Sequence, residues 1–211
     1  MNFDRIAPHY GWLETVTAGR LLQRVRTTWL EALGECERVL AVGVGWAPLP
    51  HAFLERYPGR EIVCVDASAS MLAHARRRVE RLGAAARHVQ WVHASVPEWT
   101  PPAGRFDAIA TCFFLDCFPA GQLRAVVHAL AAGATADAAW LVSDFAVPAR
   151  GLARWRARAI HALMYAFFRR VTRLPARRLT PPDELLAAAG FVLNGRREFS
   201  AGLLRADWWQ R

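Results

Sequence analysis

From Arg38 to Phe145 the apolar positions follow two alternating periods. Short, nearly continuous apolar runs stand at VLAVGV (39–44), EIVCVD (61–66), HVQWVH (88–93), FDAIATCFF (106–114) and AAWLVSDF (138–145). Between most of them lie stretches with helical spacing, at about 49–57, 68–82 and 119–132. Strands that are apolar along their whole length and alternate with helices predict a parallel sheet covered on both faces. Ahead of this core, residues 12–33 carry apolar side chains at Leu21, Leu22, Val25, Trp29 and Leu33, which predicts a helix.

Beyond the core the pattern changes. Residues 152–171 predict an amphipathic helix, with Ile160, Leu163, Met164, Phe167, Phe168 and Val171 on one arc. Arg154, Arg158, His161, Tyr165 and Arg169 fall on the opposite arc. TPPDELLAAAGF (180–191) reads as a short helix, with Thr180 as its cap, prolines in its first turn and Gly190 as its stop. Residues 191–199 and 203–209, separated by Ser200, Ala201 and Gly202, predict two closing strands joined by a tight turn. The expected fold is one α/β domain over 1–211. It is a Rossmann-like doubly wound sheet of about seven strands, mostly parallel with an antiparallel C-terminal strand, plus N-terminal helices. Within it, 1–37 form a helical cover, 38–145 the core, 146–180 an arginine-rich lid and 181–211 the closing helix and strands.

Composition adds four constraints. The 211 residues are 54% hydrophobic and 21% charged, which suits one ordinary globular core. The opening MNFDRIAPHY has an early acid and no apolar run, so it does not read as a secretory signal. The most apolar long window, 125–147, is interrupted by His128, Gly133, Asp137 and Asp144 and reads as core rather than as a membrane span. A cytoplasmic protein is expected. Cys36, Cys64, Cys112 and Cys117 form no C-x-x-C pair and have no histidines at zinc spacing, so reduced structural thiols are expected and no metal.

Charge changes the picture in one place. The net charge is +9, every basic residue is arginine, and the segment 150–178 holds nine arginines and no acid. That stretch supplies the whole excess and would attract an anionic acceptor or an anionic membrane surface. Nucleic acid is the weaker partner, because no nucleic-acid-binding motif accompanies the arginines.

The chemistry is expected at the strand exits. The first strand runs into Gly43-Val44-Gly45-Trp46-Ala47-Pro48, where two glycines permit a tight turn and close approach of backbone to a ligand. Pro48 replaces the third glycine of a dinucleotide loop, which disfavours a nucleotide-dependent oxidoreductase. Asp66 ends the second strand, where a carboxylate accepts hydrogen bonds from both hydroxyls of a ribose or caps the following helix. Asp116 and Asp144, at the exits of the fourth and fifth strands, are the candidate bases or amine-orienting groups, or else loop and cap residues. His9 and His161 are weaker candidates, since a lone histidine is more often structural.

In their order, VLAVGVG, VDASASML, VHAS, FDAIATCFFLDCF and WLVSDF resemble the class I S-adenosylmethionine-dependent methyltransferases. The nearest group is the small bacterial enzymes of quinone biosynthesis and phospholipid N-methylation. FDRIAPHYGWLE near the start and L-x-x-AGF near the end extend the likeness along the chain. The resemblance implies S-adenosylmethionine as cofactor, with Gly43 and Gly45 at its methionine part and Asp66 on its ribose. Ala67 and Met71 would line the adenine and Ala94 and Ser95 would meet its edge. Phe113 and Phe114 would face the sulfonium and the acceptor, and Tyr10 would close over the methionine carboxylate. Trp155, Met164 and Phe168 would belong to a lid facing a small-molecule or lipid acceptor, or the headgroups of the inner membrane; otherwise the apolar arc packs on the sheet and the arginines form a solvated face. Two positions depart from the family pattern: Ala41 replaces the usual acid, and Trp46-Ala47 replaces Thr-Gly. These departures motivate the alternative of a catalytically impaired binding or scaffold protein on the same fold.

Overall fold

The structure is a computed structural model and describes residues 19–172 and 174–211. Tyr10, His9 and the first part of the 12–33 stretch lie outside the described residues. The rest of that stretch is one helix, α1 (Gly19–Thr27), followed by a 3-10 turn at Leu30–Leu33.

The core strands are β1 (Arg38–Val42), β2 (Glu61–Asp66), β3 (Val89–His93), β4 (Phe106–Cys112) and β5 (Ala134–Phe145). They alternate with α2 (Pro48–Arg56), α3 (Ala69–Glu80) and α4 (Ala120–Ala132). Then follow α5 (Gly151–Thr172), α6 (Asp183–Ala188), β6 (Val192–Phe199) and β7 (Leu204–Gln210). All seven strands form one sheet in the order β3-β2-β1-β4-β5-β7-β6. The first five pair in parallel, and β7 inserts antiparallel between β5 and β6. The expected doubly wound sheet with an antiparallel C-terminal strand is therefore present.

Alternation along each strand divides the core into two layers. Leu40, Val42, Val65, Ile109 and Trp140 face α4 and α6, packing with Leu123, Val126, Leu130 and Leu186. Val39, Ala41, Ile62, Cys64 and Leu141 face the other way, against Phe53 and Leu54 of α2 and Leu72, Ala75 and Val79 of α3. Period-two alternation inside fully apolar strands is what a sheet covered on both faces requires.

Three details differ from the sequence reading. β5 begins at Ala134 rather than at 138, because an irregularity between Phe106 and Ala108 lets the polar Thr135-Ala136-Asp137 bow outward before regular pairing resumes. Thr180 does not cap α6; Pro182 occupies that position without a side-chain cap bond. Gly190 does stop the helix, at φ +88°.

The third difference concerns α5. This helix buries Ala157, His161, Tyr165 and Thr172, not the arc that contains Leu163 and Phe167. Two contacts of Tyr165 and His161 hold this face inward. The Tyr165 hydroxyl donates to the Asp116 carbonyl at 3.1 Å, and the His161 ring meets Phe145 edge-on at 5.5 Å. Small Ala157 permits close approach, and Met164 and Phe168 pack at the flank against Tyr165, Leu174 and Ala176. Leu152 (88% exposed), Trp155 (69%), Leu163 (75%) and Phe167 (47%) are left facing outward.

The N-terminal cover is fastened to the far end of the chain. Trp29 Nε1 donates to the Ala206 carbonyl of β7 at 2.9 Å, and the Trp29 ring lies 6.0 Å from that of Trp208. On β6, Gly195 sits where the register against β7 shifts, and a β-carbon there would lie 2.7 Å from the Trp29 ring. Ser143 Oγ donates to the Val25 carbonyl at 3.1 Å, a second tie between α1 and the sheet.

Candidate active site

The strand order reverses direction between β1 and β4, and open α/β sheets hold ligands outside the carboxyl ends of the strands at such a point. A cavity of about 100 Å³ opens there. Its walls include Gly43, Gly45, Asp66, Ala67, Met71, Phe113 and Phe114 from the sequence-based candidates, with Arg26, Ala41, Trp46 and Cys117 beside them.

The glycine loop is shaped by its backbone. Gly43 has φ +67° and Gly45 φ +53°, a region that costs L-residues but not glycine. The Gly43 amide donates to the Val65 carbonyl at 2.9 Å, and the Gly45 amide to Asp66 Oδ2 at 2.9 Å. Asp66 Oδ1 accepts from the Ser68 amide at 2.9 Å, while Ser68 itself caps α3 through the Met71 amide. The capping alternative for Asp66 is thus taken by Ser68. The Asp66 carboxylate thus ties the glycine loop to the turn that follows β2.

The two unusual positions have structural accounts. Ala41 is 1% exposed, pairs in register with Cys64 and Ala110, and forms part of the cavity wall. The Trp46 ring stacks under the Arg78 guanidinium, 4.1 Å from its centroid, which joins the glycine loop to α3.

Ala94 and Ser95 follow β3 beside Asp66, with the Ala94 amide donating to the Asp66 carbonyl at 3.1 Å, but neither lines the cavity. Trp155, Met164 and Phe168 do not line it either, since α5 is turned away from the expected orientation. Two residues that the sequence reading missed do contribute. Arg26 is buried, with its guanidinium 4.9 Å from the Phe113 centroid, and nothing local in the sequence marks it because its partner stands just past the end of a distant strand. Cys117 lines the cavity and donates its thiol to Asp116 Oδ1 at 3.5 Å.

Asp116 and Asp144 come together as an interior pair, 5% and 2% exposed. Asp144 Oδ2 accepts from the Asp116 amide at 3.1 Å, and Asp144 Oδ1 from the Phe145 amide at 2.8 Å. Burial pushes both carboxyls up, Asp116 to about 6, and the neighbouring Asp116 charge raises Asp144 further. Neither side chain reaches a cavity wall. Cys117 separates the pair from the glycine-loop cavity.

A second cavity of about 540 Å³ lies between the end of β5, the inward face of α5 and the β6–β7 hairpin. Phe145, His161, Tyr165 and Arg178 are among its walls. Phe113 of the first cavity and Phe145 of the second meet edge-on at 5.3 Å, so the two cavities share an aromatic partition. On the hairpin side Arg196 forks onto Asp207 at 2.8 and 2.7 Å, and Asp183 accepts from both Arg196 and Arg205 at 2.6 Å.

Among the described residues no helix is long and apolar enough to cross a membrane.

Residues 39–135 match the family model described as a methyltransferase domain. A demethylmenaquinone methyltransferase from Thermus thermophilus is 33% identical over 113 residues, covering 53% of this chain and 50% of that protein. The alignment thus spans about half the length of that curated relative. Among solved structures, an O-methyltransferase family protein from Burkholderia thailandensis superposes with a TM-score of 0.73 at 14% identity, over 100% of this chain and 63% of its own. Magnesium protoporphyrin IX methyltransferase from Synechocystis PCC 6803, with bound SAH, superposes at 0.65 and 18% identity, over 90% and 82%. At these identities the superpositions speak for the fold.

Proposed function

We propose that this chain, whose residues 39–135 match a methyltransferase-domain model, is a class I S-adenosylmethionine-dependent methyltransferase that transfers the cofactor's methyl group to a small-molecule or lipid acceptor. The observation that carries the reading is the coincidence of the φ-positive glycine loop, the Asp66 carboxylate and the buried Arg26 on one cavity.

The residues present suit the cofactor chemically. Asp66 offers lone pairs to ribose hydroxyls, Met71 and Ala67 offer an apolar wall for the adenine, and Arg26 offers a cation for the methionine carboxylate. Ala41 offers no carboxylate for the amino group, so carbonyls of the glycine loop serve there instead. The space is small against the roughly 300 Å³ of a modest ligand pocket, and Phe114, packed on Gly43, is the ring that turns aside on binding. The proposed contacts of Ala94 and Ser95 with the adenine edge rest on their position beside Asp66.

The cofactor supplies an activated methyl electrophile, so the protein's task is to orient the acceptor in a dry site, worth up to about 7–11 kcal/mol. The Phe113 and Phe145 rings, in edge contact, give the transfer site an apolar wall that would exclude water around a bound acceptor. A hydroxyl or carbon acceptor must also lose a proton. Asp116 receives it across the Cys117 thiol, and Asp144 holds Asp116 in place through its amide. Calorimetric titration with S-adenosylmethionine and S-adenosylhomocysteine tests the reading. Micromolar binding that Asp66→Ala abolishes is the expected result. No binding of either compound by the intact chain would favour the scaffold alternative.

A second reading concerns location: the outward face of α5 rests on an anionic membrane. Leu152, Trp155, Leu163 and Phe167 are exposed along a helix whose flanking charges are all arginines. An interfacial helix combines these features, with apolar side chains entering the headgroup layer and guanidinium groups meeting lipid phosphates. A cytoplasmic protein docked at the inner membrane would draw a lipid-soluble acceptor from that layer.

A further inference from the structure

We propose that the cavity beneath α5 is an oxyanion subsite that holds a phosphate or carboxylate group of the acceptor, with His161 at its wall and Arg158, Arg177 and Arg178 around it. The inference rests on the methyltransferase reading only for the word acceptor; the anion site itself stands on its own observations.

The first observation is His161. Its side chain is 5% exposed and lines the cavity, yet both ring nitrogens lack a hydrogen-bond partner. Buried polar groups in native proteins are almost always paired, and leaving one unpaired costs about 1–3 kcal/mol. An imidazole kept without protein partners beside a cavity is satisfied by what enters the cavity. Burial also lowers the His161 pKa, so the ring is neutral at pH 7 and presents one N–H donor.

The second observation is charge. Arg196 and Arg205 are balanced by Asp183 and Asp207, so that cluster adds little net field. Arg158, Arg177 and Arg178 also line the cavity, and among the described residues none of them has an ion-pair partner. Glu198 is the acid in the same lining that is left to oppose them. The local surplus is therefore positive, in a concave site where Coulomb attraction is stronger than on an open surface. Planar guanidinium forks suit phosphate and carboxylate geometry.

The third observation is placement. Phe145 lines this cavity and touches Phe113 of the other across their shared partition. An acceptor gripped by its anionic group at the arginines can thus direct its other end toward the cofactor side.

The test uses the full chain labelled with 15N-histidine and titrated with two probes, inorganic phosphate and benzoate, while the His161 ring resonances are followed by NMR. A saturable shift of His161 with at least one probe is expected. It should weaken about tenfold in the Arg177→Gln/Arg178→Gln variant. It should hold in Arg124→Gln, an exposed arginine on α4. Saturation by phosphate alone would point to a phosphorylated acceptor, and by benzoate alone to a carboxylated one. Because both arginines are exposed, the double variant should fold; independently, raising the salt concentration should weaken binding to the unaltered chain. No saturable shift with either probe, or equal affinity in the double variant and at high salt, would overturn the proposal. Calorimetry with S-adenosylmethionine on the same samples separates this outcome from failure of the methyltransferase reading.

Discussion

The Phe114 ring occupies the space that a side chain at Gly43 would need: a β-carbon on Gly43 would lie 2.3 Å from Phe114 Cδ2. The glycine loop and the β4 exit are therefore in direct contact, and the left-handed φ of Gly43 adds a second restriction. Gly43→Ala should weaken cofactor binding at least tenfold in calorimetry. Gly43→Ala/Phe114→Ala removes the steric conflict but keeps the backbone strain. It should recover only part of the loss, and full recovery would show that the strained φ carries no cost.

The Asp116–Asp144 pair sets a pH dependence of stability. Both carboxyls are raised in the fold, so the folded chain keeps a proton that the unfolded chain releases above its ordinary value of 3.8. The unfolded state then binds fewer protons, and stability falls as pH rises from about 4 through about 6 and beyond. Thermal melting across this range should show a falling Tm for the natural chain and a flatter profile for Asp116→Asn. A profile with the same slope in both would dissociate the pair from the effect.

Asp207 is 0% exposed and receives the bidentate fork of Arg196, with Arg205 Nε 3.3 Å away. Asp207→Ala removes the fully buried carboxylate of this cluster and leaves Arg196 and Arg205 to share Asp183. Breaking such a buried pair from one side costs about 3–5 kcal/mol, so chemical denaturation should show a loss of that order. A change below 1 kcal/mol would mean that water replaces the carboxylate there.

For membrane docking, Trp155→Ser/Leu163→Ser is the informative variant because both side chains point outward. Stability should stay within about 0.5 kcal/mol of the natural chain. Flotation should recover the natural chain on anionic vesicles and not on neutral ones, with the variant left behind on both. Equal recovery of the two proteins would remove α5 from the contact.

Much of the fold was legible because the strands carry their own signature. EIVCVD, bounded by Gly59 before and Ser68 after, gives β2 at the expected bounds, Glu61–Asp66. The Gly43 and Gly45 turn and the position of Asp66 were legible for the same reason: local chain geometry demands those residue types. What escaped was set by partners distant in the chain. Periodicity gave α5 two candidate faces, and the face that turned inward was chosen by the Asp116 carbonyl and the Phe145 ring, which no window around Tyr165 or His161 contains. Arg26 escaped likewise, since the Phe113 ring that receives it stands just past the end of β4.

The fastening of Trp29 gives the C-terminal hairpin authority over the opposite end of the chain. Arg26 stands three positions before that indole, on the helix that the hairpin pins down. A lesion in β6 or β7, such as a bulky residue in place of Gly195, would act at a distance: the latch slips, α1 lifts, and the cavity loses the cation proposed for the cofactor's carboxylate while every residue of the glycine loop remains intact.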